Sequence, residues 1–239
     1  MTLEHLPWDS DFFGFQVARL QVNAGASMQE LEQRLDESKQ QNVRLVYVMT
    51  QDSILAEAIT QLKPSFQDEK VWFSQSLKPS TLSEVSLVSC LGQPLRDSLF
   101  ELALQAGHES RFHLDPQFDR KAFPEMYRIW MERSLSGERS WEVLCVQEGE
   151  QVVGFVTLDR DDDAARTNIG LIAVDKAHRG KGYGKVLMEG AKQAASAQGY
   201  QTLGVPTQRS NAGACRYYVS VGFTEESNTF IFHFWHHGN

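Results

Sequence analysis

Compact apolar runs alternate with amphipathic stretches in the first part of the chain. The runs predict strands, and the stretches repeat apolar residues at helical spacing. The predicted strands span 17–22, 44–49 and 71–77, and the predicted helices span 28–41 and 54–62. A polar segment with a proline, 77–84, follows and predicts a linker. The pattern therefore predicts a smaller β/α domain over 1–84 and a second domain over 85–239.

The second domain begins with helices and continues with strands. Helical spacing covers 94–106 and 121–136, and three strand-like segments lie within 141–174. A tight Glu-Gly turn and an acidic loop, 161–163, separate these segments as in an antiparallel meander. We expect an α/β (α+β) fold, in which a mixed, mainly antiparallel sheet of about seven strands carries helices on both faces. The remaining predicted elements are a helix after the glycine-rich stretch, a strand at 201–206, a helix at 211–220 and a β stretch from Phe223.

The composition of the 239-residue chain argues against some classes of protein. The formal net charge is −8, which disfavours nonspecific binding to nucleic acid. No apolar run reaches the roughly 18–20 residues of a membrane span, and the N-terminus lacks the pattern of a signal peptide. We therefore expect a cytoplasmic protein without a membrane partner. A local positive site for an anionic small molecule is compatible with this total charge.

The cysteines and histidines do not predict a metal site. Cys90, Cys145 and Cys215 lie far apart and in no metal-ligand spacing, so we expect them to be small buried hydrophobic residues. The final residues, HFWHHGN, contain three histidines. We interpret this segment as the end of a β-strand with a frayed tail rather than as a set of metal ligands.

The glycine-rich stretch HRGKGYGK, 178–185, lies between a predicted strand and a predicted helix. It matches neither the P-loop pattern, GxxxxGK followed by Ser or Thr, nor the dinucleotide pattern GxGxxG. Glycine still lets a backbone approach a ligand closely, and the first amides of a helix have no partner within it. These amides and the helix dipole form an anion site, beside which Arg179 and Lys181 add positive charge.

This stretch resembles the acetyl-CoA-binding motif (Q/R)xxGx(G/A) of the GNAT N-acetyltransferases, matched by Arg179, Gly182 and Gly184. The resemblance implies acetyl-CoA as co-substrate, with its pyrophosphate on the amides of this turn, and no metal. It also implies that the preceding strand, 170–174, separates from its neighbour and pairs with the pantetheine arm. The cofactor-binding residues expected from the resemblance are Ile172, Ala173, Val174, Arg179, Gly180, Lys181, Gly182, Tyr183, Gly184 and Asn211.

A second stretch, NAGACRYYVSVGF at 211–223, resembles the GNAT signature NxxAxxxYxxxGF. Asn211 suits a helix N-cap, and Tyr218 follows it by two helical turns, on about the same side of the helix. The resemblance implies that Tyr218 is catalytic and protonates the departing CoA thiolate. The alternative, Tyr217, is disfavoured by the spacing, and a role for Tyr218 in packing alone remains open.

Three further segments resemble the dTDP-fucosamine N-acetyltransferase group within this family, namely 6–14, 110–116 and 126–133. These enzymes acetylate the 4-amine of a dTDP-linked 4-amino-4,6-dideoxyhexose, and they also have an N-terminal β/α part. The pyrophosphate of such an acceptor favours arginine partners, for which Arg111, Arg209 and Arg216 are candidates. The cluster 8–13 is interpreted as an apolar anchor of the first strand, or as a lining of the acceptor cleft.

The mechanism expected from this family is direct attack of a neutral amine on the thioester. A backbone amide near Ala173 or Val174 would stabilise the oxyanion. Cys215 is not expected to act as a covalent nucleophile, because the sequence shows no evident base partner for it. The sequence leaves the general base open among Glu142, His113, Asp175 and a water chain.

Two other functions stay open at this point. The chain could acetylate another amine, of a small molecule or a protein N-terminus, or it could be a non-catalytic acyl-CoA sensor. The resemblance also suggests a homodimer.

Overall fold

The structure is a computed structural model that describes residues 1–78 and 87–236. The chain divides into two compact units, and the boundary falls within three strands, between residues 71 and 72, 207 and 208, and 226 and 227, and also between residues 210 and 211. The predicted domain boundary at residues 84 and 85 lies outside the described residues, as does most of the predicted linker. The described parts of the first unit are 1–71, 208–210 and 227–236, and those of the second are 72–78, 87–207 and 211–226.

The helices and strands follow each other in the predicted order, with a few short additions. Most predicted boundaries agree with the observed ones within a few residues. The elements are β1 (Leu3–His5), α1 (Pro7–Phe13), β2 (Val17–Gln21), α2 (Met28–Gln40), β3 (Leu45–Thr50), α3 (Ser53–Thr60), β4 (Phe66–Ser76), β5 (Val88–Ser89), α4 (Asp97–Ala106), α5 (Arg111–Leu114), α6 (Ala122–Leu135), β6 (Ser140–Glu148), β7 (Gln151–Arg160), β8 (Arg166–Val174), a 3-10 turn (Lys176–His178), α7 (Tyr183–Ala197), β9 (Thr202–Gln208), α8 (Ala212–Ser220) and β10 (Thr224–Trp235).

The first unit has a small mixed sheet. β2 pairs with β3 in parallel, while β1 pairs with β2 and β10 pairs with β3 in antiparallel fashion. Leu20, Val46 and Val48 on these strands pack with Leu31 and Ile59 from α2 and α3. All five side chains are fully buried, and they form the hydrophobic core of this unit.

The sequence pattern did not predict helix α1. Pro7 suits the first turn of a helix, and Gly14 ends it in the left-handed region with φ 73°. The rings of Trp8 and Phe12 stack with centroids 5.2 Å apart, as expected for residues four positions apart on one helix face. The cluster 8–13 therefore forms an aromatic helix, and its role as an anchor of the first predicted strand or as a lining of the acceptor cleft stays a prediction.

The second unit confirms the predicted mixed, mainly antiparallel sheet. β5, β6, β7 and β8 form an antiparallel meander, and β8 pairs with β9 in parallel. Val143 and Cys145 on β6 pack with α4 and α6, whereas Leu144 lies beside Gly190 of α7. Successive strand residues point to opposite faces, so helices cover both faces of this sheet.

The cysteines are only partly as expected. Cys90 and Cys145 are buried, and their thiols form a hydrogen bond with each other. Cys215 is half-buried on α8. No group of three or more His, Cys, Asp or Glu residues that could hold a metal is found within 1–78 and 87–236. Over the same residues, every helix is too short or too polar to cross a bilayer.

Candidate active site

Strand β8 loses its pairing with β9 part-way along its length. Over the described chain, the parallel ladder joins Arg166–Asn168 to Thr202–Gly204 and ends there. Of the later residues of β8, Ile172, Ala173 and Val174 pair with β7 on their other side only. The predicted separation of the two strands is thus confirmed. Backbone groups near Ile172 are left available to a ligand, and their pairing with a pantetheine arm stays a prediction.

A β-bulge lies at the point where the two strands separate. Leu158 on β7 is opposite Ile169, but Val156 is opposite Ile172, so β8 carries one extra residue. The backbone N–H of Leu171 donates to the side-chain oxygen of Thr157 at 2.9 Å. The bulge is therefore held by a side chain of the neighbouring strand, and bulges of this kind redirect strands next to active sites.

The glycine-rich turn has the backbone that the sequence predicts. Gly180 and Gly182 have φ angles of 79° and 88°, in the left-handed region that favours glycine. A Cβ atom added at either glycine would meet no described atom within 4 Å, which leaves open space above the turn. Gly182 is the N-cap of α7, so the first amides of the helix face this space. Arg179 donates from Nε to the carbonyl of Val174 at 3.1 Å, which connects the turn to the end of β8.

Three side chains of this turn contact one carboxylate, that of Glu148. Lys181 lies 3.2 Å and His178 lies 3.4 Å from its oxygens, and the Tyr183 hydroxyl donates a short hydrogen bond to it. The hydrogen bonds from Tyr183 and Lys181 lower the pKa of Glu148 below its usual range. Glu148 is therefore an anion, and it pairs with Lys181, one of the two cations that the sequence assigns to a phosphate.

Helix α8 places two tyrosines in different surroundings. Tyr218 is buried, and its ring centroid lies 5.8 Å from that of Phe73 and 6.1 Å from that of Phe223. Burial is the main cause that raises the pKa of Tyr218 well above its usual value. The Tyr218 hydroxyl therefore stays protonated at neutral pH.

Tyr217 points to the glycine-rich turn instead. Its hydroxyl oxygen lies 3.4 Å from the position that a Cβ on Gly184 would occupy, at the N-terminus of α7. That oxygen is buried and has no hydrogen-bond partner among the described residues. Burial raises the pKa of Tyr217 to about 12, and the nearby Glu189 adds to this shift. A buried hydroxyl without a partner is costly, so Tyr217 is suited to donate to a ligand in the turn.

Asn211 caps helix α8 through its side chain. Its Oδ1 accepts a hydrogen bond from the backbone N–H of Ala214 at 3.1 Å. The residue thus holds the N-terminus of the helix that carries Tyr217 and Tyr218, and its predicted contact with the cofactor stays a prediction.

We expect Asn211→Ala to lower the free energy of unfolding by about 1 kcal/mol, because the substitution removes an N-cap. Asn211→Asp keeps an acceptor at the same place and is the matched control. Thermal unfolding of both variants measures the effect. We expect Tm to fall for the alanine variant and to stay unchanged for the aspartate variant. Equal Tm values for the two variants would contradict a capping role.

The three arginines expected to bind the acceptor lie in different places. Arg209 is in the first unit and pairs with Glu69, with its Nη2 at 3.1 Å from the carboxylate. Arg111 begins the short helix α5, and its guanidinium lies 4.6 Å from the ring centroid of Phe112. Arg216 is exposed on α8. Their roles toward an acceptor stay predictions.

The three expected base candidates already have neighbours in the fold. Asp175 accepts from the backbone N–H of Ala177 at 2.8 Å and lies 3.0 Å from His178, which lowers its pKa. Glu142 accepts from the hydroxyl of Ser89 at 2.6 Å. The ring of His113 lies 4.5 Å from that of Phe123. A carboxylate with a lowered pKa is a weaker base, which argues against Asp175 as the general base.

The separated strand, the glycine-rich turn and helix α8 all lie in a region that matches one protein family. The model of the acetyltransferase (GNAT) family matches residues 102–223, just over half of the chain. The protein belongs to the GNAT acetyltransferase family. Members of this family are acetyl-CoA-dependent N-acetyltransferases, which agrees with the separated strand, the glycine-rich turn and the helix that carries Tyr218.

Two relatives of known name extend the likeness beyond this region. The dTDP-fucosamine acetyltransferase of Escherichia coli O6:H1 is 26% identical over 230 residues, which are 96% of each chain. The spore coat polysaccharide biosynthesis protein SpsD of Bacillus subtilis is 27% identical over 188 residues, which are 77% of this chain. The aligned region is 64% of the length of SpsD, so the chain spans less than two thirds of that relative.

Solved structures agree on the fold. A conserved protein from Staphylococcus epidermidis superposes with a TM-score of 0.62 at 12% identity, over 92% of this chain and 83% of that chain. A tandem GNAT protein from the clavulanic acid biosynthesis pathway gives a TM-score of 0.57 at 12% identity, over 93% of this chain and 76% of its own. At such identities, the likeness shows the GNAT fold and nothing about the substrate.

Proposed function

We propose that the protein transfers an acetyl group from acetyl-CoA to the 4-amine of a dTDP-linked 4-amino-4,6-dideoxyhexose. The observation that carries this proposal is the similarity to a dTDP-fucosamine acetyltransferase over 96% of both chains. That similarity includes the first unit, whereas the family model begins only at residue 102. SpsD, named for spore coat polysaccharide biosynthesis, supports a role in polysaccharide biosynthesis. A cytoplasmic location and a homodimer stay predictions.

The second unit offers a fitting place for the donor. The open space above Gly180 and Gly182, the free amides of α7 and the buried hydroxyl of Tyr217 suit a pyrophosphate. Arg179 and Lys181 add positive charge, and the separated edge of β8 near Ile172 suits an extended arm. When bound, acetyl-CoA supplies the activated acetyl group.

The chain's own groups would then assist the transfer. A backbone N–H near Ala173 or Val174 would donate to the thioester oxygen as negative charge develops there. Tyr218 would donate its proton to the sulfur as the carbon–sulfur bond breaks. Cys215 has no role in direct attack, since no covalent enzyme intermediate is formed.

Thiol release with acetyl-CoA and dTDP-4-amino-4,6-dideoxygalactose tests the proposal. We expect release that depends on the amino sugar, with dTDP-6-deoxygalactose, which has a hydroxyl in place of the amine, as the matched control. Turnover of simple amines in preference to the nucleotide sugar would move the function to another amine. Binding of acetyl-CoA without turnover of any amine would indicate an acyl-CoA sensor and overturn the proposal.

We expect Glu148→Gln to tighten acetyl-CoA binding by about two- to fivefold, because it frees Lys181 and removes an anion beside the pyrophosphate site. Exposed charges are screened by salt, so the gain shrinks as ionic strength rises. Calorimetry at low and high salt measures both effects. Glu150→Gln, an exposed residue two positions along, is the control. Weaker binding by Glu148→Gln would show that Glu148 supports the turn instead of competing with the donor.

A further inference from the structure

A buried carboxylate, Asp159, lies near the end of β7 and is not explained by the motifs in the sequence. Only 9% of the residue is exposed. Its Oδ1 accepts from the hydroxyl of Ser140 at 2.5 Å, and its Oδ2 accepts from Nε of Arg139 at 3.1 Å. The guanidinium of Arg139 lies 5.0 Å from the ring centroid of Trp130 on α6. Asp159 is thus a carboxylate held in place by two consecutive residues at the start of β6.

This carboxylate lies against β8 at its bulge. A Cβ added to Gly170 would sit 2.7 Å from Cγ and 2.8 Å from Oδ1 of Asp159, closer than real Cβ contacts allow. The carboxylate therefore covers the backbone of Gly170, two residues after the ladder between β8 and β9 ends at Asn168. Asp159 faces the first unpaired residues of the strand that the donor is expected to follow.

The expected direction of the donor puts its acetyl end near Gly170. The pyrophosphate site is the turn at 180–184, beyond the C-terminal end of β8. An arm that runs along β8 from this turn must carry its thioester back toward the bulge. Gly170 and Val174 are roughly 13 Å apart along an extended strand, which gives such an arm room to lie along this edge.

The surroundings of Asp159 suit a group that exchanges a proton. Burial raises its pKa above the usual value, and Arg139 opposes part of this shift. Among the described residues, the charged group that faces Asp159 is Arg139. Its other neighbours, Ser140, Thr157 and the cross-strand residue Asn168, are neutral. A carboxylate with a raised pKa accepts a proton from an ammonium more readily than an exposed aspartate does.

We propose that Asp159 is the general base of the transfer and accepts a proton from the ammonium group of the acceptor. The nitrogen lone pair then forms the bond to the carbonyl carbon, and the carbon–sulfur bond breaks with its electron pair going to sulfur. Tyr218 protonates the sulfur, and the nitrogen, which is cationic after the attack, releases its second proton to solvent to leave the neutral amide. Asp159 then gives its proton to solvent, and Tyr218 takes one from solvent. This inference rests on the proposed amine acetyltransferase activity, but it holds for any amine acceptor.

Asp159→Asn tests the inference, since asparagine keeps the volume and one acceptor oxygen. We expect kcat/KM for the amine to fall about 10²-fold or more at neutral pH. The pH profile of the wild type should fall at low pH with contributions from both the amine and Asp159, and the variant should lose the second contribution. Asp162→Asn, the same change in the exposed loop nearby, is the control.

Binding to the protein without acetyl-CoA gives a second, independent readout. We expect Asp159→Asn to weaken calorimetric binding of dTDP-4-amino-4,6-dideoxygalactose by roughly tenfold, because the ammonium loses a charged partner. Binding of dTDP-6-deoxygalactose should stay as in the wild type. Equal weakening for both sugars would show a structural role and overturn the inference.

The outcomes separate this inference from the proposed function. The kinetic comparison uses whichever amine the wild type acetylates. If the wild type acetylates some amine and Asp159→Asn keeps its rate within about threefold and its pH profile, only the role of Asp159 is overturned. If the wild type acetylates none, both are overturned.

Discussion

Replacing Tyr218 by phenylalanine should lower kcat for acetyl transfer by about 10²–10³-fold, with little change in KM for acetyl-CoA. The phenol is buried against Phe73 and Phe223, and its raised pKa keeps it protonated at any assay pH near neutral. Phenylalanine fills the same volume but has no proton to give to the leaving sulfur. Steady-state thiol release, with calorimetric binding of acetyl-CoA, measures the two parameters separately.

Tyr217→Phe is a matched control, because it makes the same change at the next position of the same helix. Its hydroxyl lies at the turn, near Gly184, and not in the apolar surroundings of Tyr218. We expect a higher KM for acetyl-CoA and a kcat within a few-fold of the wild type. A larger loss of kcat for Tyr217→Phe than for Tyr218→Phe would mean that Tyr217 is the proton donor and that Tyr218 is not.

The sequence predicts the parts of the site that follow local rules. Gly180 and Gly182 have the left-handed backbone that only glycine adopts readily, and Asn211 has the side chain that an N-cap needs. The strands and long helices follow from the spacing of apolar residues. The separation of β8 from β9 was expected only from the resemblance to a family, since spacing within one strand says nothing about the length of its ladder.

The rest of the site depends on contacts between residues distant in the chain. Asp159 is followed by Arg160 and by the acidic loop, so its sequence context indicates a solvated carboxylate. Its burial results from the register of β7 against β8 and from Arg139, which lies beside it because the next residue, Ser140, pairs with Asp159 across β6 and β7. Glu148 is likewise a turn residue in the sequence, and its contacts with Lys181 and Tyr183 become visible only in three dimensions. Helix α1 was missed because its aromatic residues favour a strand as much as a helix.

Gly170→Ala should be a strongly damaging single-methyl change in the second unit. The added Cβ would meet the Asp159 carboxylate, which Ser140 and Arg139 hold in place, so either the carboxylate or the bulge must move. We expect a loss of about 1–3 kcal/mol in the free energy of unfolding, seen as a lower Tm. Activity should fall at least as far as in Asp159→Asn. The control is Gly213→Ala, because Gly213 is exposed on α8 and has room for a methyl group. It should leave the free energy of unfolding and the activity nearly unchanged.

The double variant Asp159→Ala/Gly170→Ala identifies the cause of that loss. If the clash with the carboxylate destabilises Gly170→Ala, removing the carboxylate should recover part of the lost stability, and the two effects should not add. Activity should stay low, because the double variant has no base at this position. Additive losses of stability would instead mean that the methyl group disturbs the strand itself, and the close contact between Asp159 and Gly170 would not constrain the site.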